Sequence, residues 1–112
     1  MKAMVIVQTK GGGKLELRDV PKPEPGPEEL LIRVKAAGVN RADIYQVKGT
    51  YDPTKNVADE VIAGAEAAGE VVGMGEHVSG FAVGDRLMGM CKGGYAEFTA
   101  WIIEWSFLCQ HA

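Results

Sequence analysis

Residues 64–90 read GAEAAGEVVGMGEHVSGFAVGDRLMGM, and this stretch decides the fold. Val71 and Val72 sit in an apolar run that suits a buried strand. Gly73 and Gly75 break that run, because glycine reaches backbone angles closed to other residues. The Val83-Gly84-Asp85-Arg86 turn restarts the chain, and Leu87-Met88-Gly89-Met90 reads as the next strand. Two strands joined through glycine corners predict the interior of a small β-barrel.

The rest of the composition agrees. A chain of 112 residues is one domain, long enough to bury a core without metal or disulfide staples. Its 15 glycines favour a turn-rich β architecture over a helix bundle. A net charge of −3 gives no electrostatic reason to seek nucleic acid or an anionic membrane. The opening segment Lys2-Ala3-Met4-Val5-Ile6-Val7 is too short for a signal peptide, so a cytoplasmic location is expected. Cys91 and Cys109 make no disulfide framework and are expected as thiols.

Upstream, residues 1–8 read as a strand. Gly11-Gly12-Gly13 turns the chain, and Leu15 and Leu17 alternate with Glu16 and Arg18, predicting a hairpin with one buried face. Lys14 is followed by Leu15 rather than Ser or Thr, so the glycine run is a hairpin turn and not a phosphate loop. Residues 21–27 hold four prolines, which lack amide donors, and predict an extended connector. From 28 to 37, Leu30, Ile32, Val34 and Ala36 share one face and Leu31, Arg33 and Lys35 the other, predicting a strand. Asn40 is placed to cap a helix of about two turns over residues 41–48, with Gly49 as its stop. Residues 51–63 show no period and read as a surface loop.

Downstream, Gly93-Gly94-Tyr95-Ala96-Glu97-Phe98 predicts a turn entering a strand, with Ala96, Phe98, Ala100 and Ile102 on one face. At Trp101 the apolar set moves to odd positions: Trp101, Ile103, Trp105, Phe107 and Cys109. A strand with a bulge and a helix both satisfy that pattern, and it does not separate them.

Four segments carry a family resemblance. LRDVPKPEPGPEELLIRVKAAGVNRADIYQVKGTY resembles the opening of quinone oxidoreductases, the zeta-crystallin-like, zinc-independent branch of the medium-chain dehydrogenase/reductase superfamily. The stretch at 64–90 and GGYAEF resemble the next blocks of that branch, in the same order. The resemblance covers residues 1–100 and implies a mainly β, GroES-like fold: a partly open β-barrel with short helical segments. In full-length members this is the alcohol dehydrogenase-like N-terminal, substrate-side domain, followed by a Rossmann domain that binds NADPH. Residues 101–112 depart from the pattern and are expected as a divergent apolar C-terminal tail.

No Rossmann domain is expected here. Gly64-Ala65-Glu66-Ala67-Ala68-Gly69 has Glu66 where the fingerprint needs a glycine, and Gly73-Met74-Gly75 has Val78 where the third small residue belongs. The chain is therefore expected to bind no cofactor alone. The zinc branch of the superfamily uses a cysteine after the GV dipeptide and a histidine before a glutamate. Here those positions are Asn40 and Ala65, neither able to replace a thiolate or imidazole, so no metal is expected. Cys91, Cys109 and His111 lack metal-ligand spacing.

By resemblance, Asn40, Tyr45 and Tyr51 line the nicotinamide and substrate cleft. The amide can hydrogen-bond a carbonyl, and the phenols combine an apolar face with a polar tip. The bland alternative has Asn40 capping a helix and the tyrosines packing on the barrel. Asp85 is expected to serve local amides, Arg86 a surface carboxylate, Glu66 a buried or turn-pairing role, and His77 to be solvated. The expected function is a truncated NADPH:quinone oxidoreductase-like protein without hydride transfer on its own. The competing expectation is a binding or assembly module that pairs with a separate Rossmann-domain partner or forms a homo-oligomer through Trp101, Trp105 and Phe107.

Overall fold

The computed structural model describes residues 1–9, 12–48 and 61–108. Eight strands and one helix follow in order: β1 (Lys2–Thr9), β2 (Gly12–Asp19), β3 (Glu29–Ala37), α1 (Arg41–Lys48), β4 (Val61–Ile62), β5 (Glu66–Met74), β6 (Arg86–Met90), β7 (Phe98–Ile102) and β8 (Ser106–Leu108). A single 3-10 turn, Ile103–Trp105, joins the last two strands. All pairings are antiparallel, in a small sheet ordered β2-β1-β4 and a larger one ordered β7-β3-β5-β6-β8.

The larger sheet curls because β3 and β5 do not pair one to one. Ile32 pairs with Val71 next to the Leu31–Gly73 pair, leaving Val72 extra, and Ala36 pairs with Ala68 next to Val34–Gly69, leaving Lys35 extra. Each bulge bends the ladder and increases its twist. Gly69 sits at the second bulge, where a Cβ would run into the Arg33 carbonyl oxygen, so only glycine lets the strands approach.

A seam at residues 95–97 ties the two sheets together. Met4 N–H donates to Tyr95 O (2.8 Å), Glu97 N–H to Lys2 O (3.1 Å) and Val34 N–H to Glu97 O (2.9 Å). The same short segment thus serves β1 and β3, which makes the curled sheets a GroES-like half-barrel.

The core lies inside the curl. Leu30, Ile32, Val71, Leu87 and Trp101 are buried there with Ala67 and Cys91, and a smaller cluster joins Ala3, Val5 and Val20. Each fully buried large aliphatic side chain contributes about 1.5–3 kcal/mol relative to exposure. Leu30 and Ile32 of β3 and Ala67 and Val71 of β5 point inward, but Leu31, expected on the opposite face, is buried too, and Ala36, expected with Leu30 and Ile32, is exposed beyond the second bulge.

Several expectations change. Leu15 and Leu17 are 39% and 65% exposed, not buried. In the β1–β2 register Glu16 opposes Val5 and Arg18 opposes Ala3, so it is the charged face of β2 that continues the buried face of β1. There Arg18 and Lys14 both pair with Glu16. Alternation marks two faces, but an edge strand can extend past the core, and then neither face must be apolar. Val61 and Ile62 are a strand rather than loop, pairing with Ile6 and Val5, while residues 51–60 lie outside the described residues. Gly73 does not end β5, which runs to Met74; Gly75 ends it, packed so closely that a Cβ would meet the carbonyls of Gly26 and Pro27. In β7 the deeper face is Thr99 and Trp101, not Phe98 and Ala100.

The change of apolar parity near Trp101 is resolved as strand, 3-10 turn, strand. β7 continues past residue 100, and β8 pairs with β6 through Met88–Phe107. Three helical residues separate the two strands, and beyond them no residue of β8 is fully buried. The Asp85 expectation holds: its Oδ2 accepts from Ala82 N–H at 2.9 Å in the turn before β6. His77 is exposed. No helix among the described residues is long and apolar enough to cross a membrane.

Candidate functional site

The turn from β3 into α1 is built around one carboxylate. Asn40 is the residue before the helix, and Asp43 stands three positions later, at the spacing of a capping box. Asn40 N–H donates to Asp43 Oδ2 at 2.8 Å, and Asp43 N–H donates back to Asn40 O at 3.0 Å. The cap is thus closed by the Asp43 side chain. The Asn40 side-chain amide is half-buried and makes no hydrogen bond among the described residues.

A second donor reaches the same oxygen from across the domain. Tyr95 O–H donates to Asp43 Oδ2 at 2.6 Å over a separation of 52 positions, and lies 3.3 Å from Gly38 O. Tyr95 is delivered by the Gly93-Gly94 turn, which folds onto Gly64. Gly93 N–H and Gly94 N–H both donate to Gly64 O, and Tyr95 N–H donates to Ala63 O. Gly64 has φ of 106°, and a Cβ there would sit 2.8 Å from Tyr95 N. Only glycine permits both the angle and the approach.

Asp43 is 5% exposed, and its Oδ1 is buried with no hydrogen-bond partner among the described residues. The hydrogen bond to the Asp43 carboxylate is the main reason the Tyr95 phenol is pushed up to about 12, with burial second. Tyr95 therefore stays a neutral donor at physiological pH.

Beside this network opens a cleft of about 610 Å³. Ala42 and Asp43 from α1, Val61 and Ile62 from β4, and Gly64, Ala65, Cys91 and Lys92 line it. Cys91 is buried, and burial is the leading cause that pushes its thiol up to about 11. A thiol held protonated is a poor nucleophile. The cleft offers largely apolar walls, with Lys92 and the Asp43–Tyr95 hydrogen bond as its polar groups.

The other expected site residues are distributed as follows. Tyr45 falls within α1, but its side chain lies outside the described residues, as do Tyr51, Cys109 and His111 altogether. Glu66 is exposed at the start of β5, neither buried nor turn-pairing, and its carboxylate covers Gly38. The aromatic trio separates. Trp101 is 1% exposed and donates its indole N–H to Ser106 Oγ at 2.6 Å, so it is core. Trp105 and Phe107 are exposed. Phe107 borders a shallow apolar groove of about 360 Å³ with Ala36, Ala68, Met88 and Met90.

Sequence reasoning passed over Asp43 and Tyr95. The Asn-x-x-Asp spacing marks Asp43 as a cap partner and was readable. Nothing in the sequence ties Tyr95 to it, because their contact is made by the seam between the sheets.

Comparison with known proteins bears on the whole chain. The family described as the alcohol dehydrogenase GroES-like domain matches residues 26–106. An acryloyl-coenzyme A reductase of Sulfurisphaera tokodaii is 40% identical over 90 residues, which are 80% of this chain and 25% of that protein. A sorbitol dehydrogenase of Halalkalibacterium halodurans is 42% identical over 87 residues, 78% of this chain and 24% of that one. Among solved structures, a quinone oxidoreductase of Pseudomonas syringae superposes with a TM-score of 0.83 at 30% identity, covering 100% of this chain and 34% of that chain. The Escherichia coli quinone oxidoreductase complexed with NADPH gives a TM-score of 0.80 at 25% identity, over 96% of this chain and 33% of that one. The chain thus spans about a quarter of these curated relatives and a third of these structural ones. With the half-barrel, the glycine corners and the profile match in agreement, this chain belongs to the alcohol dehydrogenase GroES-like domain family of the medium-chain dehydrogenase/reductase superfamily.

Proposed function

We propose that this domain is the substrate-side wall of a zinc-independent, NADPH-dependent quinone reductase, with Asn40 orienting the quinone carbonyl at the cleft. The observation that carries the reading is the largely apolar cleft lined by Asp43, three residues after Asn40, whose side chain is half-buried without a hydrogen bond among the described residues and whose backbone N–H is held by Asp43. A quinone needs apolar walls for its ring and a donor for its oxygen, and both are present. Zinc independence is supported by Asn40 and Ala65, which stand where the zinc branch places thiolate and imidazole ligands.

Residues 64–69 do not fit a pyrophosphate. From Glu66 onward they lie in β5, with β3 on one side and β6 on the other, and no helix follows. Their amides serve ladders and cannot converge on an anion. Hydride would come from NADPH held by another domain or chain, and this domain orients the acceptor.

The test is turnover. Purified chain is mixed with NADPH and duroquinone, alone and with the separately expressed cofactor domain of a quinone oxidoreductase. NADPH consumption is expected only in the mixture. No turnover above that of the cofactor domain alone counts against the reading.

A second reading, an assembly module, is favoured by a different observation. Met88, Met90 and Phe107 are each more than half exposed and share one face of neighbouring strands β6 and β8 at the sheet edge. Contiguous apolar surface of that kind is commonly an interface.

A further inference from the structure

We infer that Tyr95 and Asp43 are positioning residues for Asn40, a relay that turns the seam between the two sheets into control of carbonyl recognition. The inference deepens the reading just given and rests on it. Its basis is the order of contacts: Asn40 N–H is held by Asp43 Oδ2, and the same oxygen is held by Tyr95 O–H.

Three features separate this arrangement from an ordinary helix cap. A capping acid needs no second donor, and exposed caps commonly stand in water. Here the carboxylate is 5% exposed, and one oxygen has no partner among the described residues. Both recorded side-chain bonds converge on the other oxygen. That places the carboxylate in one rotamer, with Tyr95 as its anchor. The anchor is itself rigid, because its backbone donates to Ala63 O and accepts from Met4 N–H. Asn40 is therefore tied to the seam as well as to the first turn of α1.

The chemistry follows from geometry. A side chain that donates to a carbonyl binds more tightly when the backbone carrying it is already in place before the ligand arrives, and it is the Asn40 backbone that Asp43 and Tyr95 hold. Removing the Tyr95 hydroxyl frees the Asp43 carboxylate to rotate, and the Asn40 backbone with it. The loss should therefore appear for ligands with a carbonyl and not for ligands without one. A purely structural Tyr95 would weaken both alike, through the fold.

The experiment is an NMR titration of the isotopically labelled chain with duroquinone, whose fully substituted ring limits thiol addition, and with p-xylene as a carbonyl-free ring. For Tyr95→Phe, duroquinone affinity is expected to fall about tenfold, the loss expected for one well-placed hydrogen bond. p-Xylene affinity should not change. Asp43→Asn is the second variant: its amide oxygen still accepts from both donors, so it is expected to retain most of the duroquinone affinity. Should Tyr95→Phe fold poorly, Asp43→Ala read against Asp43→Asn gives the same comparison. Equal duroquinone affinity in wild type and Tyr95→Phe overturns the relay alone. Equal losses for both ligands also overturn it, as a structural effect. No duroquinone response at Asn40 in the wild type overturns the functional reading and the relay together.

Discussion

Among the described residues, Asp43 buries one carboxylate oxygen without a donor while the other takes two, and that asymmetry has measurable consequences. Replacing Asp43 by alanine strands the Asn40 amide and the Tyr95 hydroxyl; an unsatisfied buried group costs about 1–3 kcal/mol, and urea unfolding should show a loss of that order. Asp43→Asn should cost less, since both donors keep an acceptor. Cys91 gives a pH signature. Its thiol is raised from an ordinary 9.0 to about 11 by burial, so the fold favours the protonated form. Above pH 9 the unfolded chain releases a proton that the folded one keeps. Stability is therefore full below pH 9 and declines as pH rises toward 11. Tyr95 adds a decline at higher pH, toward about 12. Urea midpoints measured from pH 7 to 11 should fall only above 9, and Cys91→Ala should flatten the first part of the fall. At this scale the sequence displayed Asn40 and its cap partner, because capping is local. It concealed Tyr95, whose role depends on a contact between distant segments.

Among the elements, the glycines of β5 provide a paired test. Gly69→Ala drives a Cβ against the Arg33 carbonyl at the bulge and should destabilise by about 1–3 kcal/mol, the usual cost of overpacking. Gly73→Ala, five residues away in sequence order from Val78 but within the same strand as Gly69, places its Cβ 3.5 Å from Leu31 Cβ, an ordinary contact. It should be close to neutral, within about 0.5 kcal/mol. Thermal or urea unfolding of the two variants decides whether the bulge assignment is right. β3, β5, β6 and α1 were legible because each carries its own period, turn or cap. β4 was not, since two residues have no period and pair only because β1 lies beside them. The buried face of β2 was misread for a related reason: alternation shows that two faces differ, while the neighbouring layers decide which is covered. The 3-10 turn at Ile103–Trp105 explains why neither a continuous strand nor a helix accounted for the last apolar run.

For the whole molecule, Trp101 and Phe107 now have opposite roles. Trp101→Ala removes the largest buried side chain and should cost about 3–5 kcal/mol, a large share of the stability of a small domain. Phe107→Ser should leave the unfolding midpoint nearly unchanged. If the β6–β8 surface joins two copies, Phe107→Ser should lower the sedimentation coefficient at micromolar concentration; a wild-type chain that is monomeric there contradicts the assembly reading. Much of the fold could be read from glycine corners and strand periods, but the cleft is formed by α1, β4 and two turns that meet only in three dimensions. The proposed function turns on whether the Asn40 amide meets the quinone. The direct measurement is an intermolecular nuclear Overhauser effect between duroquinone methyl protons and the Asn40 side-chain amide protons. Cross-peaks at Asn40 that vanish in Asn40→Ala while the fold is retained are expected. Contacts confined to Met88, Met90 and Phe107, with none at Asn40, would contradict it.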